Sequence, residues 1–133
     1  MKLRIQGNVL RLRLTQKDVA CLHDRGVVES AIRFPLGRTL SYSVATSPDA
    51  AEVSVNYAGD CICVELPRSV ETAWAESSQV TIEGPGNAAV QILVEKDFQC
   101  LHKPGHQDPD AYPNPFAAGI EQPADVLDSK PRT

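Results

Sequence analysis

The chain has 133 residues and a formal net charge of -4, with 23% charged and only 5% aromatic residues. That length suits one domain with a real core, and so few aromatics leave the core to Val, Ile, Leu and Ala. No apolar run approaches a membrane span, and the opening MKLRIQGNVL lacks the apolar stretch of a secretory signal. The expectation is therefore a cytoplasmic protein without a membrane partner, whose Cys21, Cys61, Cys63 and Cys100 are free thiols. Charge is divided along the chain. Residues 1–45 carry eight Lys/Arg against three acids (+5), and residues 46–133 carry five against fourteen (-9). Such asymmetry points to a basic face or to pairing between the halves.

Lys2 to Gln6 alternates, with Leu3 and Ile5 on one face and Lys2, Arg4 and Gln6 on the other. Gly7-Asn8 is a two-residue hairpin signal, because both residues tolerate positive φ. Val9 to Leu14 alternates again, placing Leu10, Leu12 and Leu14 inward and Arg11 and Arg13 outward. Thr15 followed by Asp18 reads as a capping box for a short helix over about Gln16 to Asp24. Val19 and Leu22 form its buried side, and Gly26 is the natural stop. Strands are expected over Val27 to Phe34 and Thr39 to Ala45, joined by Pro35-Leu36-Gly37-Arg38.

After a linker at Thr46 to Ala50 the same programme returns, 52 residues on. Val53, Val55 and Tyr57 share a face, Ala58-Gly59-Asp60 turns, and Ile62, Val64 and Leu66 align with Leu10, Leu12 and Leu14. Pro67 opens a second helix, where a missing N–H does little harm. Val70, Ala73 and Trp74 share its face, with Trp74 aligned to Leu22. Val80 and Ile82 then lead through Gly84-Pro85-Gly86-Asn87 to Val90, Ile92 and Val94. This is a duplicated ββαββ unit. The expected fold is mostly β: an interlaced, swapped-hairpin-like antiparallel barrel with two short helices closing its ends. Residues 1–95 make the domain, as repeats 1–45 and 51–95. Residues 96–118, with Phe98, Leu101, Tyr112 and Phe116 as anchors, are expected to form an extended strap on the barrel. The polar, Pro-rich residues 119–133 are expected to be a flexible tail.

Cys61-Ile-Cys-Val-Glu-Leu-Pro67, the helix through Trp74 and the run Val80 to Val94 resemble the AbrB-type transition-state-regulator unit. That resemblance implies two units interlaced into a swapped-hairpin barrel, and a family that often binds DNA. Over the whole chain, MKLRIQGNVLRLRLT, VEKDFQCL and AYPNP resemble a family of small bacterial proteins of unknown function, which carries no assigned activity.

Three sets of residues could carry chemistry. Lys2, Arg4, Arg11 and Arg13 share a sheet face and could track phosphates, or could pair with acids of the second copy. Cys61 and Cys63 share a strand face, and with Cys100 and His102 could supply four zinc ligands if the tail folds back. Glu95, Asp97, Asp108 and Asp110 are carboxylates near a strand end, without a shared cleft in view. The sequence thus reads as a non-enzymatic binding or regulatory module, taking nucleic acid through the basic face or a protein partner. The alternative is a zinc-binding protein or small enzyme built on Cys61, Cys63, Cys100 and His102. Outside that alternative no cofactor is expected, and the chain should be a monomer or weak homodimer.

Overall fold

Backbone conformation settles the turns first. In the computed structural model, which describes residues 1–84, 89–98 and 110–116, Gly7 and Gly59 hold φ values of +59° and +58°. Those are the left-handed angles that a two-residue hairpin demands and that glycine adopts without strain. The strands that follow each turn carry the aligned apolar triplets. The elements are β1 (Lys2–Gln6), β2 (Val9–Leu14), α1 (Gln16–Arg25), β3 (Val27–Arg33), β4 (Thr39–Ser47), β5 (Ser54–Ala58), β6 (Cys61–Pro67), α2 (Arg68–Ala75), β7 (Thr81–Gly84) and β8 (Gln91–Lys96).

The capping box at α1 forms as the spacing predicts. Thr15 Oγ1 accepts from Asp18 N–H at 3.2 Å, and Thr15 N–H donates to Asp18 Oδ2 at 2.9 Å. Partial burial pushes the Asp18 carboxyl up, but the hydrogen bonds from Thr15 and the N-terminal ammonium outweigh it and hold it below 3.8. Gly26, at φ +83°, ends the helix by donating to the Leu22 carbonyl.

The strands form two four-stranded sheets, in the orders β1-β2-β8-β7 and β3-β4-β6-β5. Each sheet combines one hairpin from each copy. The central pairs, β2 with β8 and β4 with β6, run parallel, and the outer pairs are antiparallel. Mapping β1–β4 onto β5–β8 turns one sheet order into the other, so an approximate twofold relates the copies. Leu12 pairs with Val94 in one sheet, as Val64 pairs with Val44 in the other. The duplicated ββαββ arrangement and its exchanged hairpins are therefore real. Two details of the expectation are corrected. The strands do not close into an antiparallel barrel, because the inter-copy joints are parallel and the ladders stop at four strands each. The two helices also do not close opposite ends: they lie side by side, joined by an ion pair.

One core fills the space between the sheets. Leu10, Leu12, Leu14, Ile92 and Val94 meet Val28, Val44, Val64 and Leu66, and Leu22 and Trp74 from the helices seal it. Trp74 is fully buried, and its indole N–H donates to the Val80 carbonyl at 2.9 Å. The segment that enters β5 is pressed onto the opposite sheet. A Cβ on Gly84 would stand 2.5 Å from Val53 Cβ, closer than packed carbons approach.

The chain divides into two units, Met1–Gln99 and Cys100–Thr133. The sheets and helices belong to the first. In the second, residues 110–116 are described, and Phe116 N–H donates to Asn114 Oδ1 at 2.8 Å. Leu101, residues 119–133 and Pro85-Gly86-Asn87 of the expected turn lie outside the described residues.

Two outcomes follow. Gly84→Ala should lower the unfolding free energy by about 1–3 kcal/mol in urea titration, as overpacking does; an unchanged midpoint would contradict the close approach to Val53. Fragments 1–50 and 51–133 should each lack a cooperative thermal transition by circular dichroism and regain it when mixed. A cooperative transition in either fragment alone would mean that it completes its own sheet.

Candidate functional site

The basic strand pair forms as its alternation predicts. Lys2 stands opposite Arg13, and Arg4 opposite Arg11, so all four side chains share the outer face of their sheet. The parallel joint brings Glu95 of the second copy, and Asp97 just beyond it, to that face. Arg13 Nε donates to Glu95 Oε1 at 3.4 Å, Arg11 Nε lies 3.7 Å from the same oxygen, and Lys2 Nζ lies 3.1 Å from Asp97. Arg11 Nε is shut off from water without a hydrogen-bond partner. Arg4 has no ion pair among the described residues. The positive half of the chain and the negative half thus meet across β2 and β8. At exposed positions such pairs contribute only about 0–1 kcal/mol each, but they offset much of the field that would attract phosphate.

Cys61 and Cys63 also share a face, opposite Ser41 and Ser43 of β4, and both are half-buried free thiols. Cys100 and His102, the other members of the expected zinc set, lie outside the described residues. Among the described residues no group of three or more His, Cys, Asp or Glu side chains is placed to hold a metal.

Packing of the helices creates a site that the sequence reading did not single out. Glu71 of α2 is only 2% exposed, an expensive place for a carboxylate without a partner. Its partner is His23 of α1, whose Nδ1–H donates to Glu71 Oε2 at 3.0 Å and sits 3.4 Å from Oε1. On the other side of the ring, His23 Nε2 lies 3.6 Å from Glu76 Oε2. The hydrogen bond and charge of Glu71, assisted by Glu76 and Asp24, hold the imidazole pKa above 6.5 against a small opposing cost of burial. The apolar spacing predicts Ala73 on the buried face of α2, but Ala73 is exposed and Glu71 takes that place. The available signal was Glu71 standing one helical turn before Trp74, on the same side of the helix.

His23 also borders a groove of about 470 Å³. One wall is a face of α1 at helical spacing: Gln16, Val19, Ala20, His23 and Asp24. Leu14 and Ala75 add apolar floor, and Lys96 at the end of β8, with Asp97 and Phe98 after it, forms the far side. Lys96 is held in place, with Nζ donating to the Ser77 carbonyl at 2.8 Å and lying 5.4 Å from the Trp74 ring centre. The floor is aliphatic, and three acids, Asp24, Glu76 and Asp97, stand on the rim with Lys96 and His23; Glu76 faces His23, and Asp97 also pairs with Lys2. The volume falls within the range of about 300–1,000 Å³ usual for ligand sites.

These features define a class: a duplicated two-sheet β protein with exchanged hairpins, carrying an acid-rimmed apolar groove beside its paired helices. The chain belongs to a family of unknown function, DUF7009, whose family model matches residues 1–116. No curated protein and no solved structure matches it. No helix among the described residues is long and apolar enough to cross a membrane.

The His23–Glu71 pair makes stability depend on pH with a definite sign. A histidine whose folded pKa is raised contributes fully below its unfolded value, near 6.5, and loses that contribution as pH rises through the higher folded value. The urea midpoint should therefore fall as pH is raised above 6.5, and His23→Gln should flatten the curve over that window. Glu71→Gln should bring the His23 titration, followed by NMR, down toward the ordinary histidine range. A His23 titration that ignores this substitution would contradict the pairing.

Proposed function

We propose that this protein is a binding module that receives a short basic amphipathic segment of another protein in the groove beside α1. The observation that carries this reading is an aliphatic floor of Leu14, Val19, Ala20 and Ala75 under the acids Asp24, Glu76 and Asp97. An apolar anchor with neighbouring Lys or Arg side chains matches both features, whereas an acidic segment would meet repulsion at the rim. His23 supports binding over catalysis, because carboxylates face both of its ring nitrogens.

Nucleic-acid binding through Lys2, Arg4, Arg11 and Arg13 is the weaker proposal, since Glu95 and Asp97 already face three of those cations. A metal-dependent role built on Cys61, Cys63, Cys100 and His102 draws no support from the described residues.

Trp74, the chain's single tryptophan, reports on the groove through its contact with Lys96. Titration with a Leu/Lys amphipathic peptide should shift its emission, with affinity that weakens as salt rises. A Leu/Glu peptide of the same length should do nothing, and Val19→Asp should weaken Leu/Lys binding by about tenfold or more. Equal response to both peptides, or indifference to Val19→Asp, would sink the groove reading. A random-sequence DNA duplex that binds with a steep salt slope, and loses affinity with Arg11→Glu, would replace it with phosphate tracking.

A further inference from the structure

Helices seal one end of the space between the sheets, and no helix or strand among the described residues closes the other end. The three described hairpin turns, at Gly7-Asn8, Phe34 to Arg38 and Gly59-Asp60, all lie at that end, since each joins the strand ends that point away from α1 and α2. Between the turns lies an apolar cavity of about 550 Å³, lined by Leu10, Val90 and Ala89 from one sheet and Leu40, Val55, Tyr57 and Ile62 from the other. The edge-strand residues directly opposite three of these are left in water. Ile5 faces Leu10, Ile32 faces Leu40, and Tyr57 faces Ile62, yet Ile5 is 60% exposed, Ile32 50% and Tyr57 64%.

A knob stands beside this hole. The β3–β4 hairpin ends in Phe34-Pro35-Leu36-Gly37-Arg38, and Leu36 is 97% exposed. Leu36 also has φ +65°, a left-handed conformation that is strained for a branched apolar side chain. A strained backbone that holds a leucine out into water is unfavourable twice over unless something covers the side chain. The tip is flanked by Arg33 and Arg38, while Asp60 lines a smaller pocket of about 190 Å³ that shares Leu40 and Tyr57 with the cavity. Within one chain Arg38 Nη2 and Asp60 Oδ2 are 3.8 Å apart and both side chains are more than half exposed, so the pair can be exchanged at little cost.

We infer that this end is a homodimer interface. A twofold contact requires knob and hole on the same surface, and both are here. Leu36 and Phe34 of each copy enter the cavity of the other, and Arg38 of each copy faces the partner copy's Asp60. The opposite charges of Arg38 and Asp60 favour a second copy over a lipid surface, which could cover the knob but could not fill the concave cavity.

Sedimentation equilibrium of the full chain tests this. The expected result is a reversible monomer–dimer equilibrium that Leu36→Asp weakens by about tenfold or more. Its urea midpoint should stay unchanged, because Leu36 contributes nothing to the core. Arg38→Asp and Asp60→Arg should each weaken self-association, and an equimolar mixture of the two variants should regain it as a heterodimer. That rescue requires the pair to form between chains. A chain that stays monomeric at the highest concentration reached, or a dimer indifferent to Leu36→Asp, would overturn the inference. So would a monomer that co-sediments with anionic phospholipid vesicles in a Leu36-dependent way, which would assign the tip to a membrane surface.

Discussion

The two parallel ladders, β2 with β8 and β4 with β6, are the joint on which the rest of the structure hangs. A parallel pair cannot come from a tight turn, so each strand must find its neighbour after a crossover. Here β4 reaches β6 through residues 48–53 and β5, and β2 meets β8 only after the rest of the domain. The short helix inside each copy carries the chain from one sheet to the other. Each copy therefore supplies one hairpin to each sheet and completes neither. Leu12, Val44, Val64 and Val94, which pair across these joints, are all fully buried.

The same joint explains what became of the charge. It sets β8 beside β2, so that Glu95 and Asp97 of the acidic second half fall next to Lys2, Arg11 and Arg13 of the basic first half. The division of sign along the chain is resolved as pairing across one sheet. It also brings α1 and α2 together near the approximate twofold. Once adjacent, the helices ceased to be equivalent. Val19 of the first copy corresponds to Glu71 of the second by the 52-residue offset; the one lines the groove wall, and the other is buried against His23. The two ends of the domain diverged as well. Helices and Trp74 close one end, and the other keeps the apolar cavity beside the longer of the two β–β turns in its sheet pair.

Most of the secondary structure was legible because it rests on local rules. Period-two alternation placed Leu10, Leu12 and Leu14 in one layer, glycine angles fixed the turns at Gly7 and Gly59, and Thr15 with Asp18 set the start of α1. The match between Ile62, Val64, Leu66 and the first triplet exposed the duplication. Antiparallel closure was expected because hairpin signals report only neighbours in the chain. The parallel joints involve strands some 80 and 20 residues apart, and no turn marks them. Pairing of the basic face was among the readings of the charge pattern, but its partners could be named only once β8 was known to lie beside β2.

His23 and Glu71 escaped the sequence reading because each makes sense only through the other. A carboxylate is ordinarily kept from the buried face of a helix by its desolvation cost, and one that is there must have its partner supplied from elsewhere in the fold. The groove and the open cavity escaped for a related reason: a concave surface belongs to several elements at once. Local conformation and the two-copy plan were written in the order of the residues, since they depend on φ preferences and on contacts between near neighbours. Which strands share a sheet, which charges meet and where the surface is hollow depended on contacts between the copies, and those exist only in the folded chain.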